Sequence, residues 1–274
     1  MTKYQLSVFG HFLLEIISRY FLKSVEELIT QTIMDVRLPR EGVRLNFNSR
    51  PVTIFTGNLG SGKTEIAINF AEGLVQRGKK VSLVDLDIIN PYFRTRLAKE
   101  CLIDKGLDVV CPPPHLANAD VPALSPAIKG ALQVENGFCV CDVGGDDVGA
   151  IALGRFKPLL PAERINLYFV INTCRPLTAT LDDILTMLKT IETTSRLKAT
   201  ALVNNTNLGP ETDCDLVMAG DKLVREVSAI LELPIAFTAV KKELAPQLLE
   251  YGLSTPILPL EFYMLPPWKK EEMQ

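Results

Sequence analysis

Short apolar segments alternate with amphipathic ones along most of the chain. The apolar segments have the length and composition of buried β-strands, and they occupy residues 51–56, 81–86, 106–111, 137–141, 166–171, 199–203 and 234–239. Between them apolar residues recur at helical spacing, most clearly over 64–77, 178–192 and 215–231. Continuous apolar strands that alternate with amphipathic helices are typical of a parallel sheet covered on both faces. The pattern therefore predicts an α/β fold with a mostly parallel sheet of about seven strands and helices on both faces.

The two ends of the chain fall outside this alternation. Residues 5–22 predict an amphipathic helix, because one helical stripe collects the apolar residues Leu6, Phe9, Leu13, Ile16, Ile17 and Tyr20. Such a helix packs on its own domain or on a partner more often than on a membrane. The alternative is that translation naturally begins at Met34 and that the residues before it do not belong to the native protein. We therefore predict an N-terminal helical appendage over residues 1–42, an α/β domain over 43–265 and a tail over 266–274.

Composition narrows the class of protein. Of the 274 residues, 47% are hydrophobic, which is enough for a sizeable core, and the formal net charge is −3. This charge is not the basic field that nucleic-acid binding requires, so we expect no direct contact with nucleic acid. No run of 18 uncharged apolar residues, no cleavable signal peptide and no C-x-x-C pair among the six cysteines is evident. We therefore expect a cytoplasmic protein without a transmembrane segment.

One glycine-rich segment fits the phosphate-binding pattern G-x-x-x-x-G-K-[ST]: Gly57-Asn58-Leu59-Gly60-Ser61-Gly62-Lys63-Thr64. It lies between the first predicted strand and the first predicted helix, as this motif requires. Glycines allow successive backbone N–H groups to turn toward phosphate oxygens, and the helix adds the positive end of its dipole. Lys63 adds a charge for the β- and γ-phosphates, and the Thr64 hydroxyl can bind Mg²⁺. The segment, together with the next residue, Glu65, predicts a nucleoside triphosphate site; the alternative is a glycine-rich turn that binds nothing.

Acidic residues stand at the ends of two later strands. Asp85 and Asp87 are two residues apart and so share one face, and Asp142 ends another strand. The carboxyl ends of parallel strands meet at the edge of the sheet where ligands bind, beside the phosphate loop. An acidic residue there can hold Mg²⁺, and the backbone N–H of Gly145 in the D-x-x-G segment can meet the γ-phosphate. The alternative is that Asp85 or Asp142 merely caps a turn or a helix.

In this order, the phosphate loop, the V-D-x-D segment and the D-x-x-G segment resemble the MinD/ParA/Mrp-like branch of the CobQ/CobB/MinD/ParA nucleotide-binding proteins, which are P-loop NTPases of the SIMIBI class. The resemblance covers roughly residues 50–245. It implies that Lys63, Asp87 and Asp142 are the catalytic residues, with Asp87 orienting the attacking water. It also implies that Thr64, Asp87 and Asp142 are the ligands of Mg²⁺.

The same resemblance implies which base is bound. Asn204, at the end of a predicted strand, matches the asparagine of the V-N-[KR] base-recognition motif. No aspartate stands two or three residues beyond it, so the guanine-recognition sequence N-K-x-D is absent. ATP with Mg²⁺ is therefore the expected ligand.

One departure from the family pattern concerns hydrolysis. That pattern has a signature lysine in the second position of the loop, reaching across a dimer, and Asn58 stands at this position. Arg94 and Arg96, shortly after Asp87, are candidates to supply the missing positive charge. The alternative is that the two arginines begin a solvated helix.

Three functions are compatible with these motifs. The resemblance implies Mg²⁺-dependent ATP binding and slow hydrolysis, acting as a conformational switch for a protein partner, for which a second copy of the chain is one candidate. A small-molecule kinase can use the same phosphate loop, although no arginine-rich lid segment is evident. A nucleotide sensor that does not hydrolyse is the third alternative, and Asn58 is compatible with it.

Overall fold

The computed structural model describes residues 50–87, 98–111, 126–145 and 147–263. The predicted N-terminal helix and C-terminal tail lie outside these ranges, as do Arg94 and Arg96. Within them, no helix is both long enough and apolar enough to cross a membrane.

Eight strands of the described residues form one sheet: β1 (Val52–Gly57), β2 (Val81–Leu86), β3 (Asp108–Val110), β4 (Phe138–Val143), β5 (Ile165–Ile171), β6 (Ala201–Asn204), β7 (Ile235–Lys241) and β8 (Ile257–Leu260). Their order is β3-β2-β4-β1-β5-β6-β7-β8, and every neighbouring pair runs parallel. The predicted parallel sheet is confirmed, with one strand more than expected. That strand, β8, has four residues and contains Pro259, which a sheet tolerates at its edge.

Seven α-helices of the described residues accompany the strands: α1 (Lys63–Val75), α2 (Lys99–Asp104), α3 (Pro126–Leu132), α4 (Asp147–Phe156), α5 (Leu181–Ser195), α6 (Cys214–Leu231) and α7 (Ala245–Glu250). The helix predicted to begin at residue 178 begins at Leu181 instead. Thr180 sets this start, because its side chain accepts the Asp183 N–H while the Asp183 carboxylate accepts the Thr180 N–H.

Alternate residues of the central strand pack on opposite faces of the sheet. Phe55 packs on the α1 face, with its ring centroid 5.4 Å from that of Phe70 and 5.7 Å from that of Tyr168, both edge to face. Ile54 belongs to the core of the other face, with residues of α3 and α4. Because β1 is buried on both faces, its sequence is continuously apolar.

The sheet order brings several loops to one edge. β1 pairs with β4 on one side and with β5 on the other. β2 lies beyond β4, and β6 lies beyond β5. Because all these strands are parallel, the loops that follow them begin at the same edge, with the loop after β1 in the middle.

Replacing Phe55 tests the core that supports this central strand. Phe55→Ala should lower the free energy of unfolding by about 3–5 kcal/mol, because it removes a fully buried ring from the aromatic cluster. Phe262→Ala is the matched control: Phe262 is 48% exposed, and we expect a loss below about 1 kcal/mol. Urea unfolding measures both values. A similarly small loss for Phe55→Ala would show that the cluster does not hold α1 on the sheet.

Candidate functional site

The loop between β1 and α1 has a backbone conformation that its glycines allow. Gly60 and Gly62 have φ values of 73° and 86°, in the left-handed region. Gly57 lies so close to β5 that a Cβ added to it would be 2.4 Å from the Val170 carbonyl oxygen. A side chain at any of these three positions would therefore strain the loop or push it away from the sheet.

Lys63 begins α1 and is only 6% exposed. Its ammonium group donates to the Asn58 carbonyl oxygen at 2.8 Å and lies 3.5 Å from Ser61 Oγ. The Ser61 N–H donates to the same Asn58 carbonyl at 3.2 Å. The lysine charge is therefore tied to the loop rather than extended into solvent.

Two carbonyl groups of the loop are bonded to side chains from outside it. Asn205 Nδ2 donates to the Ser61 carbonyl oxygen at 2.6 Å, and Arg175 Nε donates to the Gly60 carbonyl oxygen at 3.0 Å. A trans peptide unit points its C=O and its N–H in opposite directions. The Gly62 N–H therefore points away from Asn205, and the Ser61 N–H points away from Arg175 and donates to the Asn58 carbonyl. Backbone N–H groups that turn inward in such a loop are the donors of an anion-binding concavity.

The two loops that supply these side chains are bonded to each other. Asn172, fully buried after β5, donates through Nδ2 to the Asn207 carbonyl at 3.1 Å and accepts the Asn207 N–H through Oδ1 at 3.2 Å. The hydroxyl oxygens of Thr173 and Thr206 lie 3.0 Å apart. The loops after β1, β5 and β6 therefore form one connected framework.

Three buried acidic side chains lie near the start of α1. Asp85 and Asp142 are register partners in β2 and β4, and the Asp87 N–H donates to Asp85 Oδ1 at 3.0 Å. The Thr64 hydroxyl hydrogen-bonds to the Asp142 carboxylate. None of the three acids is more than 6% exposed. The structure therefore brings together Thr64 and the aspartates at the carboxyl ends of the two strands.

Crowding of the acids changes the protonation of Asp142. Burial, followed by the neighbouring Asp85 carboxylate, raises the pKa of Asp142 to about 8, although the Thr64 hydrogen bond and the Lys63 charge act in the opposite direction. This shift favours the protonated form of Asp142 in the ligand-free protein. A divalent cation beside it would lower this pKa, because the cation favours the carboxylate form.

The available oxygen ligands fit a magnesium ion that is shared with a phosphate chain. In the described ranges, no group of three or more His, Cys, Asp or Glu residues is arranged to hold a metal ion by itself. Mg²⁺ is typically bound by one or two protein ligands together with water and phosphate oxygens. The Thr64 hydroxyl and the Asp142 carboxylate are already in contact and can serve as those protein ligands.

Glycines after β4 let this segment approach the phosphate loop closely. A Cβ added to Gly145 would be 2.5 Å from the Leu59 nitrogen, and one added to Gly144 would be 3.2 Å from Asp87 Oδ1. A Cβ on Gly149 would be 2.2 Å from the Gly144 carbonyl oxygen. A larger residue at position 145 would therefore push the D-x-x-G segment away from the phosphate loop, and one at position 149 would push α4 away from Gly144.

Asn204 ends β6 and is fully buried. Its Oδ1 accepts the N–H and the hydroxyl of Thr206, at 3.1 and 2.7 Å. Its Nδ2 has no hydrogen-bond partner in the part of the chain that the structure describes. A buried donor without a partner is costly, so an acceptor atom of a ligand at this position would be stabilising.

Two sets of contacts around the loop were not expected from the sequence. The Glu65 carboxylate accepts the Tyr263 N–H at 3.0 Å, so this side chain serves the C-terminal segment. Asn205 and Arg175 were not among the predicted site residues, although both contact the phosphate loop. Their only signal in the sequence is position: each lies shortly after a predicted strand, at the edge where ligands bind.

Comparison with known proteins places these features in a family. A model of the CobQ/CobB/MinD/ParA nucleotide binding domain matches residues 52–214. The comparison with curated proteins finds no match. Among solved structures, the chain is similar to FtsY from Mycoplasma mycoides, with 15% identity, a TM-score of 0.52 and coverage of 72% of this chain and 63% of that one.

Two further solved structures are similar at a lower score. For the cell division protein FtsY from Thermotoga maritima, the identity is 19%, the TM-score 0.48 and the coverage 78% of this chain and 69% of that one. For the nucleotide-binding protein from Archaeoglobus fulgidus in complex with ADP, the identity is 15%, the TM-score 0.45 and the coverage 77% and 92%. The chain spans less than two thirds of the Mycoplasma protein, and likeness at such identities concerns the fold alone.

The parallel sheet, the loop after its central strand and the family match together define a P-loop NTPase of the SIMIBI class. The family model matches more than half of the chain, which therefore belongs to the CobQ/CobB/MinD/ParA nucleotide-binding family. The resemblance predicted from the order of the motifs is confirmed.

The raised pKa of Asp142 predicts a pH dependence of stability for the ligand-free protein. In the unfolded chain this carboxyl ionises near pH 4, whereas in the folded protein it ionises near pH 8. Between these values the unfolded chain binds fewer protons, so the free energy of unfolding should fall as pH rises. Relative to Asp142→Asn, which lacks the group, the fall should approach about 1.4 kcal/mol per pH unit from pH 5 to 7. Parallel profiles of the two proteins in urea unfolding would contradict this pKa.

Proposed function

We propose that this chain binds ATP with Mg²⁺ at the loop between β1 and α1 and hydrolyses it slowly, as a conformational switch. The observation that carries the proposal is the attachment of the Gly60 and Ser61 carbonyl groups to outside partners. It fixes the two peptide units and directs the Gly62 N–H away from Asn205, while Lys63 is already tied to the loop. A loop arranged in advance loses little conformational freedom when a phosphate chain binds.

Thr64 and Asp142 are the proposed ligands of Mg²⁺. When bound, Mg²⁺ neutralises part of the charge on the β- and γ-phosphate oxygens. Binding of Mg²⁺ would favour release of the Asp142 proton, because a divalent cation favours the carboxylate form and burial beside Asp85 raises the pKa of this carboxyl. Asp85, in the neighbouring strand β2, accepts the Asp87 N–H and so helps to fix the backbone at the end of that strand.

Adenine is the proposed base. Asn204 Nδ2 can donate to a ring nitrogen, an acceptor that both purines possess. Guanine also carries donors that need an acceptor, and the residue three positions beyond Asn204 is Asn207 rather than an aspartate. The Asn207 side chain is engaged within its own loop, donating to the Asn205 carbonyl at 2.8 Å and accepting the Gly209 N–H at 3.4 Å. Guanine would therefore lack its usual carboxylate partner.

Asp87 is the proposed residue that orients the attacking water. A Cβ added to Gly144 would be 3.2 Å from its carboxylate, so this acid lies where the segments after β2 and β4 meet. The Gly145 N–H is proposed to meet the γ-phosphate, and hydrolysis would remove that contact. Gly144 and Gly145 have no side chains, so the segment that contains them can change shape. Such a change would alter the surface presented to a protein partner, for which a second copy of the chain is one candidate.

Replacing Lys63 tests the phosphate site. Lys63→Ala should weaken Mg²⁺-ATP binding by about 10- to 100-fold, because the ammonium makes charge-assisted hydrogen bonds to phosphate oxygens. Lys79→Ala, at an exposed lysine, is the matched control and should bind normally. Calorimetric titration with ATP and with GTP measures both variants. Undiminished ATP binding by Lys63→Ala would refute the phosphate site, and tighter binding of GTP than of ATP by the unaltered protein would refute the adenine assignment.

Replacing Asp87 tests hydrolysis. Asp87→Asn should slow phosphate release from Mg²⁺-ATP by about 100-fold, because it removes the group that positions water, and should leave ATP affinity within about threefold. Asp104→Asn, at an exposed acid, is the control. Phosphate release is measured with and without small-molecule acceptors. Loss of ATP only when an acceptor is present would indicate a kinase, and tight binding without release by the unaltered protein would indicate a sensor.

A further inference from the structure

The residue that follows β6, Asn205, is held in place by its own backbone. Its N–H donates to the Ile171 carbonyl at the end of β5 at 2.8 Å, and its carbonyl accepts from Asn207 Nδ2 at 2.8 Å. The residue is only 3% exposed. The Asn205 side chain therefore starts from a fixed position beneath the phosphate loop.

The Asn205 amide lies directly against the phosphate loop. Its Nδ2 donates to the Ser61 carbonyl oxygen at 2.6 Å, and a Cβ added to Gly62 would be 2.2 Å from the same nitrogen. The Ser61 carbonyl and the Gly62 N–H belong to one peptide unit, which is trans. Because a trans unit points these two groups in opposite directions, holding the carbonyl also fixes the direction of the Gly62 N–H.

The Gly62 N–H is available to a ligand. In the part of the chain that the structure describes, it donates to no protein acceptor. Asn205 is buried whereas Gly62 is partly exposed, so the direction away from Asn205 leads toward the open side of the loop. Gly62 also immediately precedes Lys63, the first residue of α1, where the helix dipole favours a negative charge. This N–H is therefore suited to a phosphate oxygen.

We propose that Asn205 is a positioning residue for phosphate binding: by holding the Ser61 carbonyl, it sets the Gly62 N–H as a donor to the phosphate chain. This inference rests on the proposed binding of ATP. It assigns the adjacent asparagines at the end of β6 to the two ends of one nucleotide, Asn204 to the base and Asn205 to the phosphate chain. The contribution of Asn205 is therefore independent of the base and applies equally to inorganic triphosphate.

Asn205→Ala tests the independence from the base. The variant leaves the Ser61 carbonyl without its side-chain donor, so the Gly62 N–H is no longer fixed. It should weaken the binding of Mg²⁺-ATP and of inorganic triphosphate with Mg²⁺ by the same factor, about tenfold. Calorimetric titration measures both affinities.

Asn205→Asp tests the hydrogen bond itself through its pH dependence. The variant keeps the shape of the side chain, but its carboxylate cannot donate, whereas its protonated form offers an O–H to the Ser61 carbonyl. Burial raises the pKa of such a carboxyl toward the range of the experiment. Relative to the unaltered protein at the same pH, it should bind Mg²⁺-ATP about 30-fold more weakly near pH 8 but within about threefold near pH 5.5. Asn136→Asp is the matched control: it adds the same charge at an exposed turn and should bind normally at both pH values.

The outcomes separate this inference from the proposed function. Near pH 5.5, Asn205→Asp must bind ATP more tightly than Asn205→Ala, because loss of charge alone would bring it only to the level of the alanine variant. Equal binding by the two variants would overturn the assignment, as would a loss by Asn205→Ala of ATP binding without loss of triphosphate binding. Urea unfolding checks that each variant is folded, and if Asn205→Asp is not, the comparison of the two ligands with Asn205→Ala decides.

The Lys63→Ala variant provides the reference. If the unaltered protein binds ATP, Lys63→Ala does not, and both Asn205 variants bind normally, the positioning role alone is overturned. If the unaltered protein binds no ATP, the proposed function falls and the role of Asn205 falls with it.

Discussion

The orientation of two peptide units in the loop after β1 is the constraint on which the site depends. Their carbonyl groups are held by Asn205 and Arg175, which follow β6 and β5. Only the order of the parallel sheet brings those residues beside the loop. The glycines permit the conformation, but the neighbouring side chains select it. A phosphate motif is therefore completed by residues outside the motif.

A second constraint is electrostatic. The strand ends that approach the loop from β2 and β4 carry buried acids, and Asp142 is left with a pKa near 8. Burying acids beside one another is unfavourable unless a cation compensates them. The charges of the cation and of the phosphate chain offset each other, so each lowers the electrostatic cost of binding the other. We therefore expect the two to bind together. Binding of both should raise the stability of the fold, since the unfolded chain offers no such site.

Local sequence patterns predicted the residues of the phosphate-binding motif. They did not predict the residues outside the motif that bond to it, because those contacts join distant parts of the chain. The loop Gly57–Thr64 and the aspartates of β2 and β4 stand at the carboxyl ends of apolar strands, a signal contained within a few positions. The edge strand β8 was missed, because its four residues include Pro259. Asn205 and Arg175 contact loop residues 144 and 115 positions away, and no local pattern encodes such a contact. The eighth strand and the hydrogen bonds from Asn205 and Arg175 to the loop could therefore be found only in the structure.

A structure of this protein with Mg²⁺ and a nonhydrolysable ATP analogue tests the central claim most directly. We expect phosphate oxygens on the backbone N–H groups of the loop and on the Lys63 ammonium. The Gly60 and Ser61 carbonyl groups should remain bonded to Arg175 and Asn205. An analogue bound elsewhere, or a loop whose carbonyl groups have turned toward the phosphates, would contradict the preformed phosphate site.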